Sequence, residues 1–177
     1  MTAGTARLLD ALERAYPEAT RADVGFVLVA ATPLAEPLLP GLLALFPEAV
    51  FTVAGENAET LGSLHAVAEQ AAGRLRTVHT GIGDLPDAAP GPYDLIVVRQ
   101  PDVGQARAAW RYAFEACSGA LAAGGLLVVS TDLLPDAGLI DDVLRALSLE
   151  MRPGSPYTPV PVAFSGEDRY IMLYGRE

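Results

Sequence analysis

Apolar positions along this chain follow two spacings in turn. Leu8, Leu9, Leu12, Ala15 and Tyr16 recur at helical intervals and stop at Pro17. Val24–Ala30 is then an apolar run of the kind a strand buried on both faces requires. A helix is predicted over Leu38–Phe46, its start blurred by Pro37, Pro40 and Gly41, and a second strand over Ala49–Ala54. Asn57 suits the N-cap of a helix carrying Leu61, Leu64, Ala68 and Ala71, with Gly73 placed to end it. A third strand is predicted over Leu75–His79, a turn-rich loop over Asp84–Pro92, and a fourth strand over Tyr93–Arg99.

The second half repeats the alternation. Ala106, Ala109, Trp110, Ala113, Phe114 and Cys117 form one helical stripe, read as core. Gly124-Gly125 precedes a fifth strand, Leu126–Thr131, and Leu139, Ile140, Val143, Leu144 and Leu147 mark another helix. Val160–Ser165 and Arg169–Tyr174 flank turn residues and predict a closing hairpin. Strands alternating with helices imply right-handed crossovers and a parallel sheet, which the hairpin makes antiparallel at one strand. The expectation is one α/β domain over 1–177: an N-terminal helix within 1–20, then a three-layer, doubly wound, mostly parallel seven-stranded sheet over 22–176.

Composition narrows the chemistry. All 12 basic residues are arginine, which excludes a Schiff-base lysine and a P-loop lysine. A net charge of −10 argues against a phosphate-binding stripe, so no nucleic-acid partner is expected. No apolar stretch reaches the length of a membrane span and no signal pattern opens the chain; with the single Cys117, this predicts a cytoplasmic protein that does not engage a membrane. His65 and His79 lack ligand spacing around them, so no metal is expected. Leu34, Leu38, Leu39 and Leu42 lie close together and predict an oligomer contact, most simply a homodimer.

Three segments carry a resemblance. Phe46-Pro47-Glu48-Ala49 before the second strand, Tyr93-Asp94-Leu95-Ile96-Val97-Val98 as the fourth, and Leu121-Ala122-Ala123-Gly124-Gly125-Leu126-Leu127-Val128 before and into the fifth resemble class I S-adenosylmethionine (SAM) methyltransferases. The resemblance covers nearly the whole chain. It implies the seven-stranded fold with its closing hairpin, SAM as cofactor, and a small-molecule methyl acceptor.

The cofactor motifs depart from that family. Its first strand ends in an acid and a glycine turn, where this chain has Val27-Leu28-Val29-Ala30-Ala31-Thr32-Pro33-Leu34-Ala35. The resemblance therefore leaves the backbone around Ala31 and Thr32 to hold the methionine end. Gly55 stands where a ribose-binding carboxylate is usual, and Glu56 comes one residue late. Side chains alternate across a strand, so Glu56 reaches the ribose only if the strand ends or bulges before it. Gly83-Asp84-Leu85-Pro86 is similar to the loop that meets the adenine, and Asp84 also suits a plain turn. After the fourth strand come Arg99, Gln100 and Asp102, either orienting a substrate or forming a surface cap in which Arg99 pairs with Asp102. No residue stands out as catalytic. Two functions fit: a SAM-dependent methyltransferase with a divergent cofactor loop, or a non-catalytic pseudoenzyme of the same fold that binds proteins or oligomerises.

Overall fold

A computed structural model describes residues 2–30, 32, 34–81, 84–152 and 167–175. Seven strands form one sheet: β1 (Phe26–Ala30), β2 (Val50–Gly55), β3 (Leu75–His79), β4 (Tyr93–Arg99), β5 (Leu121–Thr131), β6 (Glu150–Met151) and β7 (Tyr170–Gly175). Their spatial order is β3-β2-β1-β4-β5-β7-β6. The first five strands run parallel, and β7 is antiparallel to both β5 and β6. The doubly wound, mostly parallel sheet is as expected, with the antiparallel β6–β7 pair closing it. The strand expected over 160–165 lies outside the described residues; among those described, β7 pairs with β5 and with the short strand at Glu150–Met151.

Strand alternation divides the core in two. Val27, Val29, Leu95, Val97 and Val128 face α1 (Ala3–Ala15) and α3 (Leu39–Leu45). Leu28, Ala30, Ile96, Val98, Leu127 and Val129 face α7 (Arg107–Ala120) and α8 (Leu134–Ala146). A helix layer on each face is what a parallel sheet needs, since neither of its faces is polar.

Tertiary contacts adjusted several boundaries. A short helix, α2 (Glu18–Arg21), comes directly after Pro17, and a 3₁₀ turn over Glu36–Leu38 leads into α3. The helix capped by Asn57 breaks at Leu64 into α4 (Ala58–Ser63) and α5 (His65–Gln70). Leu85–Ala88 forms a single turn, α6, inside the expected loop. Strand β5 begins five residues early because Gly125 lets it pass β4 closely; a Cβ there would lie 2.9 Å from the Tyr93 carbonyl oxygen. Leu38, Leu39 and Leu42 are fully buried inside the domain. They complete the core beside α1, so the dimer contact expected from them loses its basis.

Candidate functional site

The winding reverses between β1 and β4, the position where doubly wound sheets open a crevice beyond their strand ends. A cavity of about 520 Å³ lies there, within the size range of small-molecule sites. Its walls come from the ends of β1 and β2 (Ala30, Thr32, Ala54, Gly55, Glu56), the turn after β3 (Gly81, Asp84), the end of β4 (Gln100, Asp102) and the start of α7 (Trp110, Tyr112).

Glu56 reaches this cavity because β2 stops at Gly55. Gly55 pairs with His79 of β3, and the Thr80 amide donates to the Gly55 carbonyl at 3.0 Å. The next carbonyl, that of Glu56, accepts from His79 Nε2 at 2.8 Å. Asn57 Oδ1 then accepts from the Glu59 and Thr60 amides and starts α4. Held on both sides, the backbone leaves the strand at Glu56, and alternation no longer governs its side chain.

Gly81 leaves space for two acidic side chains. A Cβ on it would lie 3.0 Å from Glu56 Oε1 and 3.1 Å from Asp84 Oδ2, so the two carboxylates sit within about 6 Å of each other. Neither makes an ion pair among the described residues. The sequence points to Asp84 but not to this glycine, whose signal is the Thr80-Gly81 turn directly after β3.

Thr32 is the one described residue of the expected first loop between Ala30 and Leu34; Ala31 and Pro33 lie outside the described residues. Its amide donates back to the Ala30 carbonyl at 2.8 Å, a tight turn made without glycine. The Thr32 hydroxyl is buried and has no hydrogen-bond partner among the described residues. An unpaired buried hydroxyl costs about 1–3 kcal/mol, so a ligand that engages it recovers binding energy.

Arg99 does not line the cavity, nor does it pair with Asp102. Alternation along β4 turns it to the opposite face of the sheet from Val98, where it is fully buried. Its guanidinium donates to Asp168 Oδ2 (2.6 Å from Nη2, 2.9 Å from Nε), to Glu167 Oε2 at 3.0 Å and to the Leu34 carbonyl at 2.6 Å. Ser130, opposite Arg99 on β5, donates its hydroxyl to Asp168 Oδ1 at 2.5 Å. Helix α1 closes the group: Thr2 donates to Glu167 Oε2 at 3.0 Å, and Arg7 donates to the Glu167 carbonyl. A cation this deep is tolerated only because its partners are fixed around it. Sequence separation hid the arrangement, since Asp168 lies 69 residues away.

Gln100 and Asp102 do reach the cavity. Asp102 also closes the turn before α7, accepting from the Gln105 amide at 3.3 Å. Trp110 is half-buried, packed against Phe114 with the rings tilted and their centroids 5.8 Å apart, and it also lines the cavity, so it is more than the core residue its stripe predicts. Cys117 is core as expected, and burial pushes its thiol up to about 12, which makes it inert at neutral pH. His65 lies on the exposed side of α5 beside Glu69.

A larger cleft of about 650 Å³ opens at the other end of the sheet, between α1 and the start of β4. Several of its polar groups are already engaged. Tyr16 donates to the Asp94 carbonyl at 2.9 Å, Asp94 Oδ2 accepts from the Gly25 and Phe26 amides, and Arg14 pairs with Asp10. Burial and then the Asp94 charge push the Tyr16 phenol above its ordinary value. Glu56 and Asp84, without an ion pair among the described residues, make the crevice the better candidate.

No family model matches the sequence, and no curated protein matches it. Solved structures do. A S-adenosylmethionine-dependent methyltransferase from Clostridium acetobutylicum superposes with a TM-score of 0.69 at 12% identity, over 97% of this chain and 92% of that one. Precorrin-6y C5,15-methyltransferase from Geobacter metallireducens gives 0.68 at 13% identity, covering 98% and 87%. A TehB-like SAM-dependent methyltransferase from Corynebacterium glutamicum gives 0.61 at 17% identity, covering 98% and 88%. At these identities the likeness is one of fold: the chain has a class I SAM methyltransferase-like fold.

Proposed function

We propose that this chain is a SAM-dependent methyltransferase acting on a small molecule, with donor and acceptor sites in one domain. The observation that carries the reading is the charge of the crevice. Among the described residues its walls hold three carboxylates (Glu56, Asp84 and Asp102) and no arginine or histidine. Such a surface repels nucleoside phosphates and dinucleotides and attracts a cation. SAM has one net positive charge, two ribose hydroxyls and an exocyclic amine, all groups that acceptor oxygens receive.

In this reading Glu56 holds the ribose, Asp84 the adenine, and Ala31 with Thr32 the methionine end. Gln100 and Asp102 face the acceptor, while Arg99 keeps the crevice wall in place from behind. SAM supplies an activated methyl group; the protein's part is to hold the acceptor in line with it and keep water out, and proximity of this kind lowers a barrier by up to about 7–11 kcal/mol. The one-residue offset of Glu56 is no obstacle to a ribose contact, because the strand ends just before it.

Calorimetric titration with SAM, S-adenosylhomocysteine, ATP and NAD tests the reading. Saturable binding of the first two, with no heat from the phosphates, is the expected result. Absence of SAM binding up to about millimolar, beyond which affinity falls below roughly 4 kcal/mol, would return the chain to a non-catalytic role.

A further inference from the structure

Gln100 is held in an unusual way. Its φ is +54°, a left-handed backbone that a non-glycine residue keeps only where its surroundings fix it. The backbone amide donates to the Ser130 carbonyl at 2.8 Å. The side-chain nitrogen lies 2.7 Å from Asp132 Oδ1 and 3.3 Å from Asp168 Oδ1. Ionised carboxylates only accept, so the NH₂ group must face both of them, and this settles which way the amide stands. Asp168 already receives the Arg99 guanidinium and stands as an acceptor. Both amide hydrogens are therefore committed. The carbonyl oxygen, Oε1, has no partner among the described residues, and the residue lines the cavity.

We propose that Gln100 Oε1 positions the methyl acceptor, and that the acceptor presents an N–H or O–H group, as an amine or a hydroxyl compound does, rather than a carboxylate. The proposal rests on the methyltransferase reading above. At the β4 end of the cavity the side chains on offer, Gln100 Oε1 and the Asp102 carboxylate, are acceptors. A carboxylate brought there faces the Asp102 charge, and the donors beside it, the Trp110 indole N–H and the Tyr112 hydroxyl, are neutral and offer it no counter-charge. Arg99, the cation next in sequence, lies on the other face with no exposure and is already bonded to Asp168, Glu167 and Leu34. An N–H or O–H group finds an acceptor waiting, with Trp110 and Tyr112 as aromatic walls beside it.

The test uses phenyl-bearing probes, matched to those walls, on the protein saturated with S-adenosylhomocysteine. Ligand-observed NMR gives affinities for benzylamine, benzyl alcohol, benzyl methyl ether and benzoate. Benzyl alcohol and its methyl ether are both neutral and differ in one donor, which separates hydrogen bonding from the charge of the crevice. The expected result is that the amine and the alcohol each bind about tenfold tighter than the ether and benzoate. Gln100→Met should erase the alcohol's advantage while S-adenosylhomocysteine affinity, read from fluorescence of the sole tryptophan, Trp110, stays unchanged. Should that variant not fold, Gln100→Asn tolerates the left-handed backbone and withdraws the amide by one methylene. Equal affinities for alcohol and ether, or an advantage that survives in a folded variant, would overturn the assignment. If S-adenosylhomocysteine does not bind, the methyltransferase reading fails separately, and the same probes on the free protein still decide the role of Gln100.

Discussion

Glu56 and Asp84, beside β2 and β3, and Asp168, behind β4 and β5, are carboxylates at the same end of one sheet. Asp168 is fully buried and receives Arg99 and Ser130. Glu56 and Asp84 are exposed, within about 6 Å of each other across Gly81, and without a cation among the described residues. The first arrangement spends its hydrogen bonds inside the protein and sets the shape of the wall. The second keeps them for something that arrives from solution. What separates a structural acid from a ligand-binding one here is whether a donor from the same chain already occupies it.

The sharpest way to break this comparison is Arg99→Ala. It leaves Asp168 buried without its cation, and such a loss costs about 3–5 kcal/mol. Urea denaturation should show that drop; a loss under about 1 kcal/mol would put Asp168 in the same class as Glu56. Comparable in size is the effect of Glu56→Ala on the ligand, although it should leave the urea midpoint unchanged within about 0.5 kcal/mol. It should weaken SAM binding by about 3–6 kcal/mol through two charge-assisted bonds, seen as loss of saturable heat in calorimetry. Asp84→Ala removes one such bond and should cost SAM about 1.5–3 kcal/mol, again with stability intact. A matching loss of stability would mean that Asp84 serves the turn before α6 and not the ligand.

The smallest effect is also the most discriminating. Thr32→Val keeps the shape of the side chain and removes a hydroxyl that has no partner among the described residues. The free protein should gain up to about 1 kcal/mol, while SAM binding weakens by about 0.5–1.5 kcal/mol. Opposite signs from one substitution identify a group held ready for a ligand. Thermal melts with and without SAM provide both readings.

The alternation of apolar spacings made the sheet legible, because strands buried on two faces and helices buried on one leave local signatures of different period. Strands Leu75–His79 and Tyr93–Arg99 begin and end where that pattern places them. Ala30, Thr32, Glu56, Asp84, Gln100 and Asp102 all line one crevice, which the order of the strands brings about. What the pattern could not convey was direction and partnership. Glu56 counts as misplaced as long as alternation is assumed, and only the His79 and Asn57 contacts show that β2 has already ended. Arg99 reads as a substrate contact or a surface cap because its position at the end of β4 suits both, and Asp168, the partner that allows its burial, is brought to it by β7 pairing with β5. The leucines of α3 look like a surface to be covered until α1 is laid beside them. Periodicity is local, so the sequence alone determined the long helices, the first five strands and β7, and their order, but not the short α2, α6 and β6. Whether a polar group is paired inside the chain or left for a ligand depends on residues dozens of positions away, and that the tertiary structure decided.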